Sequence, residues 1–277
     1  MRSLTNETVI APNTRKSVDI QELWLYRELF YFFAWRDIKV RYKQSVLGIG
    51  WAILQPLMLA IIFTLFFHNI AGISSGDQNI PYPVFAFLGL MYWITFSTAV
   101  ITISNSLVSN AGVINKIYFP RLIPPLSASA LSIVDFFFAA IILGLVMLVF
   151  TLAPTMLGVL LIIPSLLLIV VSALGIGIFF AALNVKYRDV KSALPYLIQA
   201  TFFMTPVIYP ITLIPERFRD FAYLNPATGA ISSVKAAIFG QPVEWIGLLL
   251  SWISAIVLLI LGIWYFKRTE KNFADII

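Results

Sequence analysis

One pattern limits this chain more than any other. Runs of about twenty residues rich in Leu, Ile, Phe, Val and Ala recur, and no Lys or Arg enters their apolar cores. A bilayer's hydrocarbon layer takes about 20 apolar residues of helix to cross. Six such runs are legible, at roughly 50–71, 84–108, 126–152, 156–183, 193–213 and 244–266. The chain is 60% hydrophobic and 12% charged over 277 residues, where a soluble domain holds about 45–50% apolar and about 25% charged residues. That leaves too little polar surface to clothe a water-soluble fold. The expected fold class is an all-α integral membrane protein, with six transmembrane helices filling residues 47–277.

Basic residues orient the spans. With six crossings both termini share a side. Sixteen of the 19 Lys and Arg residues then fall on one face, and only Arg217, Arg219 and Lys235 on the other. The positive-inside rule makes the first face cytoplasmic. Residues 1–20 are polar, lack an apolar core and are expected to form a flexible cytoplasmic arm rather than a cleaved signal.

Two segments fit neither span nor plain loop. Over 21–46, Trp24, Tyr31, Trp35, Ile38 and Tyr42 share an arc of about 60° on a helix, while Arg36, Lys39 and Lys43 share another. An aromatic stripe beside a basic one suits an amphipathic helix in the headgroup layer, touching membrane lipids. Over 215–241, Phe218, Phe221 and Ala222, then Ile231, Val234 and Ile238, recur at helical spacing. Pro215 opens the first piece and Pro226 separates the second. Each is too short to span, so a re-entrant helix pair is expected, its backbone covered by protein.

Several chemistries find no support. The sequence has no cysteine and one histidine, His68, so neither a disulfide framework nor a His-rich metal site is expected. No G-x-x-x-x-G-K-[ST] loop occurs, so the chain has no phosphate cradle of its own. Clustered catalytic carboxylates are missing too, which disfavours a membrane-bound transferase and leaves the expectation of a non-catalytic chain. Nothing points to nucleic acid. Asp135 is the one carboxylate well inside a run. A proton-coupled carrier would want a relay of such groups, so Asp135 reads as a structural hydrogen-bonding residue, charged or neutral.

The stretch "RDIKVRYKQSVLGIGWAILQPL" (36–57) resembles the signature of the membrane subunit of type-2 ABC exporters of cell-surface polysaccharides, which move O-antigen, capsule or teichoic acid chains. The resemblance continues through "NKIYFPRLIPPLSA" (115–128), "NVKYRDV" (184–190), "MTPVIYP" (204–210) and "YLNPATGAI" (223–231), in order, and covers about residues 22–266. It implies a homodimeric channel in the bacterial inner membrane, with two copies of a separate cytoplasmic ATPase holding ATP and Mg. The implied cargo is a polyprenyl-pyrophosphate-linked polysaccharide, O-antigen first. Teichoic acid, capsule, or a small lipid or drug remain alternatives.

The resemblance also assigns roles. Arg36, Lys39, Arg41 and Lys43 are expected to receive the lipid pyrophosphate, with Leu47 and Gly48 allowing the backbone to bend between helix and span. Near an anionic surface each Lys or Arg contributes about 1 kcal/mol, and guanidinium groups grip phosphate bidentately. Segment 113–125 resembles a coupling helix, with Tyr118 and Phe119 as anchors and Lys116 and Arg121 as a charged rim. Lys186 and Arg188 supply a second ATPase contact. Phe63, Phe67, Phe202, Phe203 and Tyr209 are candidates for an aromatic channel lining, whose flat faces suit sugars. Pro206 and Pro210 weaken the outer end of the fifth run and suggest a gate beside the re-entrant pair. Gly177 and Ala181 form a small-xxx-small pair for close helix packing.

Overall fold

A computed structural model describes residues 20–43, 50–187 and 189–273. The arm expected over 1–20 (but for Ile20), together with Leu47, Gly48 and Arg188, lies outside the described residues. The described chain is helical, without strands. In order it runs α1 (Ile20–Leu25), α2 (Arg27–Lys43), α3 (Gly50–Phe63, continued by a π-helical segment Thr64–Ile70), α4 (Tyr82–Ser109), α5 (Ala111–Ile114), α6 (Ile123–Val149), α7 (Met156–Lys186), α8 (Val190–Met204), α9 (Glu216–Tyr223), α10 (Pro226–Ile238) and α11 (Trp245–Thr269).

Five segments of the described chain are long and apolar enough to cross a membrane: Ile53–Ile70, Tyr82–Ser109, Ile123–Val149, Met156–Lys186 and Trp245–Thr269. The fifth expected run departs from this. Its helix α8 has 15 residues, about 22 Å at 1.5 Å per residue, against a hydrocarbon layer of about 30 Å. The reason is local. Pro206 has no N–H to offer the carbonyl four residues back, so the helix stops at Met204 and an irregular stretch follows to residue 210.

α4 is the central rod. Of its apolar window 78% is buried, against 11% for Ile53–Ile70 and 22% for the window in α11. It packs on α3, α6, α7 and α10, and α7 packs in turn on α10 and α11. Small residues set the distances. Gly177 and Ala181 are buried in α7, and a Cβ on Gly177 would come within 2.7 Å of Ile103 in α4. On its other side α7 meets α11 backbone to backbone: a Cβ on Gly262 would sit 2.2 Å from the Gly175 carbonyl oxygen. Without a hydrophobic drive between helices in lipid, such close approach supplies the packing energy.

The paired short helices of the 215–241 segment are present as α9 and α10. Pro226 takes the first turn of α10, and Asn225 caps it by accepting from the Ala227 N–H at 3.1 Å. All of α10 is buried except Ala236, whereas α9 buries only Tyr223.

α2 packs along α6. Phe33 meets Phe119, just before α6, at 5.8 Å between ring centroids. Nine residues on, Tyr42 meets Phe138, well inside α6, at 6.2 Å. α2 therefore climbs along α6. Trp24, Tyr31 and Trp35 of the expected stripe are exposed, and the buried residues are Phe33 and Ala34 on a different face.

The backbone contact at Gly262 gives a direct check. Gly262→Val should force α7 and α11 apart and cost about 3 kcal/mol, the upper part of the usual overpacking range. Unfolding of the purified protein in mixed micelles would measure it, and an unchanged midpoint would contradict the packing described.

Candidate functional site

Two groups of polar side chains stand out, one at the basic end of the bundle and one at the opposite end. At the basic end α2 carries the expected phosphate-binding cluster, but its four cations are not equivalent. Arg41 lies off the basic stripe, on the side of α2 turned to α6. Its Nη2 is 3.0 Å from Oδ2 of Asp135, and the neighbouring Tyr42 hydroxyl donates to Oδ1 of the same carboxylate. Asp135 is 8% exposed, so both partners act where water screens little. Burial first, then the Asp135 hydrogen bond and charge, push the Tyr42 phenol above its ordinary range, which keeps it a donor. Asp135 is thus the anchor that holds the end of α2 against α6.

Arg36 donates to Oδ1 of Asp37 at 3.0 and 2.7 Å and lies over the Phe33 ring. That pair is partly exposed and worth less than about 1 kcal/mol, so a phosphate could compete for it. Lys39 lies over Trp35 at 5.2 Å and is exposed, as is Lys43. Among the described residues no carboxylate pairs with either lysine.

The coupling segment is split. Tyr118 is 63% exposed and donates to Oε1 of Glu22 in α1 at 3.3 Å; Lys116 and Ile117 are exposed beside it. Phe119, expected as a second outward anchor, is 4% exposed with its ring against Phe33. Adjacent residues in a loop point different ways, and Phe119 is claimed by α2. Arg121 also turns inward: it donates to the Glu270 carbonyl at 2.5 Å and lies 6.0 Å from the Phe273 ring. Lys186 is exposed, 5.0 Å over Tyr187.

The aromatic candidates gather around α8. Phe63 stacks on Phe202 at 5.6 Å and touches Phe67 at 5.4 Å. Phe202 also meets Phe203 and Trp93 edge-on at 5.2 and 5.5 Å. Phe202 is buried in this cluster and Phe203 is exposed. Tyr209 donates to the Phe203 carbonyl at 3.1 Å.

At the opposite end the decisive residue is Lys235, which the sequence pattern offered only as one of three stray cations. It is 4% exposed. Its Nζ donates to the carbonyls of Pro206 and Val207 at 3.1 and 2.6 Å and lies 3.6 Å from the centre of the Phe85 ring. Gly89 makes the room, since a Cβ there would stand 2.2 Å from the Val207 oxygen and 2.8 Å from Nζ. Tyr82 donates to the next carbonyl, Ile208, at 2.7 Å, and Asn225 donates to the Thr205 hydroxyl at 2.8 Å. The stretch containing Pro206 and Pro210 is thereby tied to α4 and α10. The usable sequence signal was a lone lysine inside the small-residue helix "PATGAISSVKAAI", downstream of a proline-broken run.

These features define a polytopic helical membrane protein with a charged face, a protein-capped helix break and no catalytic constellation among the described residues. The ABC-2 type transporter family matches residues 28–239, and the chain belongs to that family of non-catalytic membrane subunits. In this family ATP is generally bound by a partner ATPase. The chain is 30% identical over 243 residues to the O-antigen export system permease protein RfbA of Klebsiella pneumoniae, covering 87% of this chain and 92% of the relative. It is 30% identical over 224 residues to RfbA of Myxococcus xanthus, covering 79% and 84%. It is 25% identical over 241 residues to the polysialic acid transport protein KpsM of Escherichia coli, covering 85% and 91%.

Two outcomes follow. Lys235→Met should strand two buried carbonyls, each costing about 1–3 kcal/mol, and lower the detergent melting temperature clearly more than Lys39→Met does. A double-mutant cycle on Arg41→Gln and Asp135→Asn should return a coupling of about 1–3 kcal/mol in unfolding free energy; additive effects would mean that the pair does not anchor α2.

Proposed function

We propose that this chain is the transmembrane channel subunit of an ATP-driven exporter that carries a polyprenyl-pyrophosphate-linked polysaccharide, O-antigen on the first reading, out of the cytoplasm across the inner membrane. The observation that carries this is the likeness to two RfbA permeases at 30% identity, over 87% and 79% of the chain. The weaker likeness to KpsM supports a second reading, a capsule exporter on the same fold.

The geometry supports a division of labour. The basic face is cytoplasmic, and the fifth of six crossings is made by α8 together with the irregular stretch that follows it. Lys39, Lys43 and Arg36 receive the pyrophosphate, with Arg41 sharing the site while Asp135 holds it in place. The exposed Lys116, Ile117 and Tyr118 offer a docking edge to the ATPase, with Lys186 as a second contact; Phe119 and Arg121 brace that edge from behind. Two copies of the chain, each with an ATPase copy, enclose the polymer path. Phe203 and Tyr209 face it more directly than Phe202, while Phe63 and Phe67 support them.

Replacing Arg36, Lys39 and Lys43 together with Gln tests the entry site. At about 1 kcal/mol per cation, three removals should weaken capture of the lipid-linked substrate roughly 150-fold. Membrane insertion and basal ATP hydrolysis by the assembled complex should stay normal. Surface polysaccharide, blotted from cells lacking the native gene, should fall while the lipid-linked precursor accumulates inside. Unchanged surface polysaccharide with normal insertion would refute the assignment.

A further inference from the structure

A partly enclosed hollow of about 320 Å³ lies at the end of the bundle opposite the basic face. This is the small end of the range of ligand pockets, about 300–1,000 Å³. Its walls come from six places: the loop before α4, Phe85 of α4, the broken backbone after α8, Tyr223 at the end of α9, α10, and the turn before α11. Phe85 and Tyr209 give it aromatic surface. Ser232, Gln241 and Glu244 give it hydroxyl, amide and carboxylate groups, and Lys235 closes one side. The Ser232 residue is 8% exposed, and its Oγ has no hydrogen-bond partner.

The electrostatics narrow what could bind. Lys235 has committed two of its three N–H donors to carbonyls and lies against the Phe85 ring, so it offers little to an anion. Glu244 brings negative charge to the wall, and Arg219, at 3.9 Å, offsets it. The charged groups at the wall are therefore already engaged, and hydrogen-bonding groups of both kinds stand beside aromatic faces. A phosphate finds no free cation there, and a lipid tail would leave the polar groups unpaired. A sugar ring fits both demands, with hydroxyls at its edge and an apolar face of C–H groups.

We infer that this hollow is a binding site for a neutral sugar unit of the exported chain as it emerges, separate from the cationic site that takes the pyrophosphate. The inference rests on the polysaccharide reading above. A site of this size gives weak affinity, with Kd about millimolar. That suits a hold on the emerging polymer between ATP turnovers, because a tight site would stop it.

The test uses the full chain assembled with its ATPase in nanodiscs. The probe is short neutral oligosaccharide, released by mild acid from the host's own surface polysaccharide and free of phosphate. Saturation-transfer NMR should show binding. Ala236→Trp, which fills the hollow, should weaken it at least fivefold, and Gln241→Leu, which removes one amide without adding bulk, should weaken it severalfold. Inorganic pyrophosphate should not compete. Wild-type binding that survives both substitutions in folded protein, or that pyrophosphate displaces, overturns the site. The parent reading is checked separately by deleting the gene. Loss of surface polysaccharide on deletion keeps that reading whatever the NMR shows. Intact surface polysaccharide removes it, and the sugar site with it.

Discussion

A backbone break inside a membrane protein needs every exposed carbonyl answered by protein, because lipid offers no donors. The stretch after α8 is where this chain meets that demand, and much of the fold follows from how it does so. Pro206 ends the helix, and three successive carbonyls, those of Pro206, Val207 and Ile208, take hydrogen bonds from Lys235 and Tyr82. For Lys235 to reach them, α10 must lie inside the bundle beside α4, and α4 must carry glycine at position 89. The burial of α10 is thus not only hydrophobic; the helix is held in by what its lysine does. The far end of α10 is held in turn by Thr155, whose hydroxyl donates to the Ala237 carbonyl at 2.5 Å while accepting from the Gly158 N–H to cap α7.

The basic face follows a different logic, in which aromatic and ionic contacts join segments distant in sequence. Glu22 of α1 takes a hydrogen bond from Tyr118; Phe33 of α2 packs on Phe119; Arg121 reaches the Glu270 carbonyl and the Phe273 ring; Phe273 meets Phe266 of α11. The N-terminal helices, the loop between α4 and α6, and the end of α11 therefore form one packed unit. A protein docked on the exposed Tyr118 would press on a surface that is continuous with α2. The other end of α2 is fixed to α6 by the Arg41–Asp135 pair. Breaking such a pair on one side leaves a buried charge without its partner, which is why it locates a helix better than it stabilises one.

Legibility in the sequence divided along physical lines. The long spans were readable because hydropathy over twenty residues is a summed signal that no single contact overrides. The turns at Pro215 and Pro226 were readable because proline acts locally. The shortness of α8 was half readable: "MTPVIYP" marks a break, but an apolar run hides where the helix stops. Phe119 and Tyr118 could not be told apart, since a loop has no period to say which neighbour faces in. Asp135 showed itself as costly where it stands, but its partners lie 93 and 94 positions earlier, beyond any local pattern. On a helical wheel Arg41 already stood apart from Arg36, Lys39 and Lys43, and that offset anticipates its different partner. The role of Lys235 is hidden from the sequence for a plain reason. Counting cations to orient spans treats each as a solvated charge, and this one is buried.

The two ends of the molecule are chemically unlike. One presents a face of exposed cations; the other presents a hollow of hydrogen-bonding and aromatic groups beside a capped break. Under the proposed function such asymmetry selects which part of an amphiphilic cargo sits where, but it cannot set the direction of net movement. A site shifts an equilibrium only by its differential affinity, and a passive path with unlike ends carries cargo either way until concentrations balance. Direction has to be imposed by a cycle that consumes free energy, and this chain has no P-loop with which to bind nucleotide. Members of this family work with ABC ATPases, which supply such a cycle. Under the proposed function the contact with the ATPase falls on the basic face, where Lys116, Ile117 and Tyr118 are exposed on a braced loop.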